Sequence, residues 1–148
     1  MEIERKFLVK ELPVAYNTYP RQHIEQAYLC VSPVVRIRRS NDAYYLTYKG
    51  SGLMVREEEE LPLTEESYHH LLKKADGNVI SKERYCIPYQ SHTIELDVFA
   101  APFEPLVVAE VEFSTEEDAL VFRVPEWFGE EVTHDPAYTN AALSRKEW

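Results

Sequence analysis

The chain has 148 residues, 45% of them hydrophobic and 28% charged, with 26 acidic against 16 basic side chains for a net charge of −10. That length suits one domain over residues 1–148, with a core that needs no metal or disulfide staple, and the composition excludes a disordered tail or a collagen-like repeat. The acidic balance argues against binding to nucleic acid or to anionic membranes, which rests on cationic surface, but it leaves room for a local basic pocket.

Strands are predicted where apolar and polar residues alternate with a period of two: residues 2–9, 23–31, 34–40, 43–49, 53–61, 79–87, 93–99 and 106–113. Ser40-Asn41-Asp42 makes one hairpin loop and Lys49-Gly50-Ser51-Gly52 another. Helices fall between strands. Thr64 is a fitting N-cap with Leu63 and Tyr68 as a staple, and Tyr68, Leu71, Leu72 and Ala75 form an amphipathic stripe that Gly77 ends. Ser114-Thr115-Glu116-Glu117 reads as a capping box opening a short helix bounded by Pro125. Asp135-Pro136 starts a C-terminal helix that reaches about Ser144.

Apolar runs such as residues 106–109 are too short to span a bilayer, and residues 1–6 lack the apolar stretch of a signal peptide. A cytoplasmic protein, monomeric or homodimeric, is expected. Cys30 and Cys86 lack CxxC spacing and read as free thiols. His23, His69, His70, His92 and His134 show no metal-binding spacing. Trp127 beside Gly129 reads as a core anchor.

The unusual feature is charge at every second position of several strands, since side chains two apart share a face. Glu2, Glu4 and Lys6 share one in the first strand, Arg36 and Arg38 in the third, and Lys49 lies with Tyr45 and Thr47 in the fourth. Arg56, Glu58 and Glu60 align in the fifth, Lys82 and Arg84 in the sixth, Glu95 and Asp97 in the seventh, and Glu110 and Glu112 in the eighth. By the same parity Arg39, Glu57 and Glu59 point outward. One such strand is explained by a solvated outer face. Seven together, with doublets of one sign that repel, point to a sheet closed into a barrel with its charges inward and its apolar faces under helices. Clustered carboxylates suit hard divalent cations such as Mg²⁺ or Mn²⁺, and clustered Arg and Lys suit phosphate oxygens. A metal-bound polyphosphate satisfies both.

These residues carry a family resemblance. Glu2-Ile3-Glu4-Arg5-Lys6 fits an ExExK pattern. It is followed by Ile24-x-Gln26-x-Tyr28-Leu29, Val35-Arg36-Ile37-Arg38, Leu46-Thr47-Tyr48-Lys49-Gly50 and Arg56-x-Glu58-x-Glu60. Lys82-x-Arg84, Glu95-Leu96-Asp97, Glu110-Val111-Glu112 and the ending Trp127–Thr133 with Asp135, Tyr138 and Asn140 complete it. In this order the chain resembles the CYTH family, or triphosphate tunnel metalloenzymes, and within it the short bacterial triphosphatases. His134 and Thr139 depart from the charged residues expected near the C-terminus, where the family closes one tunnel mouth.

The resemblance implies a mainly β, α+β fold: an eight-stranded antiparallel closed β-barrel with a few covering helices, binding a small-molecule triphosphate with a divalent metal. Glu2, Glu4, Glu110 and Glu112 would hold the principal metal, and Glu58, Glu60, Glu95 and Asp97 would assist a second one or orient water and cations. Lys6, Arg36, Arg38, Lys49, Arg56, Lys82 and Arg84 would grip phosphate oxygens, with Arg56 alternatively pairing with Glu58 or Glu60. Glu2, Glu4, Lys6, Lys82 and Arg84 form the expected catalytic set. No activated Ser or Cys nucleophile is apparent, so direct attack by a metal-activated water on the terminal phosphorus is expected. The substrate is inorganic tripolyphosphate, or a nucleoside or thiamine triphosphate. The alternatives are a class IV-type adenylyl cyclase using the same tunnel, and a non-catalytic polyphosphate or nucleotide sensor, which the full set of carboxylates disfavours. A lipocalin-like barrel is disfavoured by the interior charge. Tyr28, Tyr45 and Tyr85 read as packing residues before ligand contacts.

Overall fold

The computed structural model describes residues 2–51 and 54–145. Among them, strands β1 (Glu2–Val9), β3 (Val34–Ser40) and β4 (Ala43–Lys49) have the predicted bounds. Strands β2 (Arg21–Val31), β7 (Asp76–Tyr89), β8 (His92–Phe99) and β9 (Val107–Glu112) differ only at their ends. The strand predicted over 53–61 is split at Glu57 into β5 (Val55–Arg56) and β6 (Glu58–Leu63), and its first residue, Leu53, lies outside the described residues, as does Gly52 of the preceding loop. A tenth strand, β10 (Phe128–Glu131), has no alternating pattern to announce it, being four residues long and containing a glycine.

All pairings are antiparallel, in the order β10-β1-β9-β8-β7-β2-β3-β4-β6. The expected eight-stranded closed ladder is therefore a curled ten-stranded sheet. One edge of β1 belongs to β9. The other is divided, with β5 pairing Glu2 and Ile3 and β10 pairing Phe7 and Val9. The seam is thus a two-residue bridge, because β5 is one residue away from β6 on the far edge of the sheet.

The helices cover apolar faces. Helix α1 (Glu65–Leu72) starts on a reciprocal capping box between Thr64 and Ser67. It buries Tyr68 against Ala27, Ile37 and Tyr44. Helix α2 (Glu116–Val121) is capped by Thr115, whose Oγ1 accepts from the Asp118 N–H, rather than by the box predicted from Ser114. It places Ala119 on a larger cluster that includes Phe7, Ile94, Leu96 and Val111. Fully burying each large apolar side chain contributes roughly 1.5–3 kcal/mol. The predicted C-terminal helix breaks in two. Asp135 caps a 3₁₀ turn (Pro136–Tyr138), and Thr139 then caps helix α3 (Asn140–Ser144). Gly77 does not end α1, which stops at Leu72. It sits within β7 at φ +72°, where a Cβ would run into the Ser144 carbonyl, so α3 docks directly on that strand.

One part of the barrel interior is apolar. Beyond Lys6, Lys82, Asp97 and Glu110, the next inward positions are Leu8, Ile80, Phe99 and Val108. Together with Tyr28, Phe103 and Leu143 they pack into a third cluster. The charged lumen therefore ends on a hydrophobic floor. Among the described residues, no helix is long and apolar enough to cross a membrane.

Candidate active site

The inward charges border a cavity of about 630 Å³. Of the fifteen side chains expected in the site, all but Lys82 and Asp97 line it. Antiparallel pairing of β1 with β9 sets Glu4 beside Glu112 and Lys6 beside Glu110, so strands far apart in the chain bring their carboxylates together. Glu60 and Glu112 are exposed at the rim. Tyr28, read as a packing residue before a ligand contact, also borders the cavity, as do Thr139, Asn140 and Ala141 at the start of α3. Tyr48 joins them from the end of β4, although its parity predicts the outer face. Tyr85 lies in the outer core and packs there on Tyr16.

Most of the cations are already neutralised. The Lys49 ammonium donates to both carboxylate oxygens of Glu2 at 3.0 Å and stands 3.3 Å from Glu58. Arg56 Nε donates to Glu2 at 3.3 Å, with a terminal nitrogen 3.9 Å from Glu4. Lys6 lies 3.5 Å from Glu110 and donates to the Tyr138 carbonyl at 3.0 Å, which ties the 3₁₀ turn to the barrel. Arg84 grips Asp97 with two bonds, at 2.8 and 2.9 Å, and reaches Glu95 at 3.3 Å.

Lys82 and Asp97 belong to the layer beneath. Their side chains are 0% and 1% exposed, they pair at 2.7 Å, and the Lys82 ammonium lies 5.1 Å from the centre of the Phe99 ring. Both oxygens of Asp97 are committed to cations. It supports Arg84 from below and is not presented to the cavity as a metal ligand, and Lys82 is not presented to a phosphate. Alternation in the sequence assigns their face correctly but says nothing of their depth.

Two cations differ from the rest. Arg36 and Arg38 have no carboxylate partner among the described residues. Arg36 donates only to Thr47 Oγ1 at 3.3 Å, and its Nε is buried without a partner. Arg38 Nε donates to the Gln26 side-chain carbonyl at 2.8 Å. Burial and the neighbouring charges of Arg36 and Arg84 push Arg38 down to about 9, so a bound anion would relieve both guanidiniums.

The carboxylates show the complementary imbalance. Burial, followed by repulsion from Glu110 and Glu2, raises Glu4 to about 8. Burial and the Glu2 charge also raise Glu112. Burial acts to raise Glu2 as well, but a hydrogen bond with Glu58 and the Lys49 and Arg56 charges prevail and hold it at about 2. Among the described residues, no three acidic, His or Cys side chains stand close enough to grasp a metal unaided. The donor set nevertheless fits a hard divalent cation. It is all carboxylate oxygen, and it includes the crowded Glu4 beside Glu112, a residue with no ion-pair partner among the described residues.

A pH dependence follows from Glu4. A carboxyl raised from 4.5 to about 8 by folding contributes stability below pH 4.5, and that contribution is lost as pH climbs toward 8. The lowered carboxyls are already fully ionised across this window. Lys82, depressed to about 7 by burial, acts in the opposite sense only above that value. Glu58, Glu95 and Glu112, also raised by burial, act in the same sense. The melting temperature of the metal-free protein should therefore fall between pH 5 and 7, and Glu4→Gln should show a shallower fall. Thermal melts of both proteins across the window measure the difference, and parallel curves would contradict it.

Comparison with known proteins decides the family. The model of the CYTH domain matches residues 1–135. The chain belongs to the CYTH family. This CYTH chain is 38% identical to an inorganic triphosphatase of Nitrosomonas europaea over 97% of its own length and 96% of that protein. It is 36% identical to an inorganic triphosphatase of Acetivibrio thermocellus, over 99% of this chain and 95% of that one. A crystal structure of an inorganic triphosphatase, 34% identical, covers 99% of this chain and 96% of its own with a TM-score of 0.74. The mainly antiparallel β fold with a few helices that the resemblance implies is thereby borne out as a curled, tunnel-like sheet, and CYTH triphosphatases are metal-dependent enzymes.

Proposed function

We propose that this CYTH protein is a Mg²⁺- or Mn²⁺-dependent hydrolase that releases the terminal phosphate of inorganic triphosphate. The observation that carries this reading is the split of unbalanced charge within one cavity. Among the described residues Arg36 and Arg38 on β3 lack counter-charges, while across the lumen Glu4 on β1 meets a cation only at 3.9 Å, in Arg56, and Glu112 on β9 has no ion pair. A polyphosphate with its cation fills both deficits at once. The full-length likeness to inorganic triphosphatases supports the same substrate.

In the reaction, water attacks the terminal phosphorus in line. A P–O bond to the new oxygen forms as the bond to the bridging oxygen breaks, and diphosphate leaves. Glu2, Glu4, Glu110 and Glu112 would hold the divalent cation. When bound, it neutralises phosphate oxygens and makes water more acidic. Arg36, Arg38 and Arg84 orient the chain of phosphates and stabilise the charge that grows on the departing diphosphate. Lys49, Arg56 and Lys6 are paired with Glu2, Glu4 and Glu110, and would be free to turn to the substrate if those carboxylates held the divalent cation. Lys82 and Asp97 keep Arg84 in place from below.

The product spectrum tests this reading. Tripolyphosphate, ATP and thiamine triphosphate are each offered with Mg²⁺ or Mn²⁺. Orthophosphate and diphosphate from tripolyphosphate are expected, whereas cyclic AMP and diphosphate from ATP would identify a cyclase instead. Ligand linkage gives an independent measure. At about 100 times its dissociation constant, tripolyphosphate with metal should stabilise the protein by roughly 2.7 kcal/mol. For a chain of this length that corresponds to a melting shift of about 5–10 °C. An unchanged melting temperature at saturation would count against a shared cation–anion site.

A further inference from the structure

Of the cations lining the cavity, Arg36 and Arg38 keep their charge unbalanced, yet Arg38 is not loose. Its register partner on β2 is Gln26, which is fully buried and accepts from Arg38 Nε at 2.8 Å. That bond fixes the amide, because the flipped form would set its NH₂ donor against the Arg38 N–H. In the fixed orientation Gln26 Nε2 is buried with no hydrogen-bond partner. An unpaired buried donor is destabilising, so stability alone does not account for glutamine here.

We infer that Gln26 is a positioning residue for substrate binding, one that orients the Arg38 guanidinium through a neutral acceptor and so leaves its charge and terminal nitrogens to a phosphate group. A carboxylate would orient the guanidinium equally well but would cancel its charge, as Asp97 does for Arg84 and Glu2 does for Lys49. Glutamine is the side chain of matching reach that does the first without the second. This assignment rests on the proposed function, since it requires a polyanionic substrate.

Gln26→Glu separates orientation from charge. The two side chains share a shape, and Arg38, bonded to this position and itself near the charges of Arg36 and Arg84, keeps the new carboxyl ionised. The metal-free variant should melt at or above the wild-type temperature. Its tripolyphosphate affinity, measured by calorimetry with Mg²⁺, should fall about tenfold or more, the equivalent of one charge-assisted hydrogen bond. The KM should rise in the same proportion, with a smaller change in kcat. Gln26→Met, which has similar bulk and no acceptor, should lose both melting temperature and affinity. Wild-type affinity in either variant would overturn the assignment. So would a Gln26→Glu protein that melts far below wild type, because Gln26 would then be a packing residue. If the wild-type protein itself bound no tripolyphosphate, the proposed function would fail first and this assignment with it.

Discussion

Glu4→Gln is expected to lower metal-dependent phosphate release by about 10³-fold, the scale of removing one preorganised electrostatic contact, while leaving the metal-free protein at least as stable as wild type near pH 8. The two results have one cause. Glu4 is largely buried beside Glu110 and Glu2, and the charges of Lys49 and Lys6 and the distant end of Arg56 at 3.9 Å compensate it only in part. Ionising it there costs free energy that a neutral amide avoids. The crowding that makes the carboxylate unfavourable in the empty protein is what makes it a good partner for a divalent cation. Glu112→Gln should lose activity in the same way, since Glu112 is its cross-strand neighbour and has no ion pair to sacrifice. Phosphate release and thermal melts on the same preparations decide the matter. Near-normal turnover in either variant would remove the proposed metal site. Lost activity together with a collapsed melting curve would mark the carboxylate as structural.

Asp97→Asn should instead unfold the protein more readily, by about 3–5 kcal/mol, because it strands buried charges. Among the described residues Asp97 is the only carboxylate within ion-pair distance of Lys82, and it is the principal partner of Arg84. An asparagine of the same shape leaves two buried cations with little counter-charge on a hydrophobic floor. In a chain of this length the melting temperature should drop by about 10 °C or more. Lys82→Met should cost far less. Burial already depresses the Lys82 ammonium to about 7, the Phe99 ring offers methionine an apolar neighbour, and Asp97 stays neutralised by Arg84. Thermal melts of the two variants side by side test this asymmetry. Equal losses would show that the three groups act as one indivisible network.

Much of this was written in the pattern of residues. Period-two charge on β1, β3, β7, β8 and β9 predicted a shared polar interior, and thirteen of the fifteen candidate side chains do border one cavity. The two that do not, Lys82 and Asp97, lie one layer lower, where Phe99 and Ile80 begin the apolar floor. Gln26 lies within the Ile24–Leu29 motif, where the sequence assigns it no role. A neutral amide does not stand out among charges, and its value depends on Arg38 facing it across a strand pair. The seam, β10 and the break in the C-terminal helix were not foreseen, since each is settled by a partner distant in the chain.

The order of side chains alone determined which residues face inward, because alternation along a strand follows from backbone geometry without reference to any neighbour. It likewise set the sign of charge on each wall and the caps at Thr64 and Asp135. Only the folded chain decided how deep each inward group lies and which charges find a counter-charge. It also decided which charges stay unbalanced. Those properties depend on strand register, on curvature and on what blocks the lumen, and no single segment encodes any of the three. Arg36 and Arg84 look equivalent in the sequence; in the fold one has a carboxylate clasped to it and the other waits for an anion.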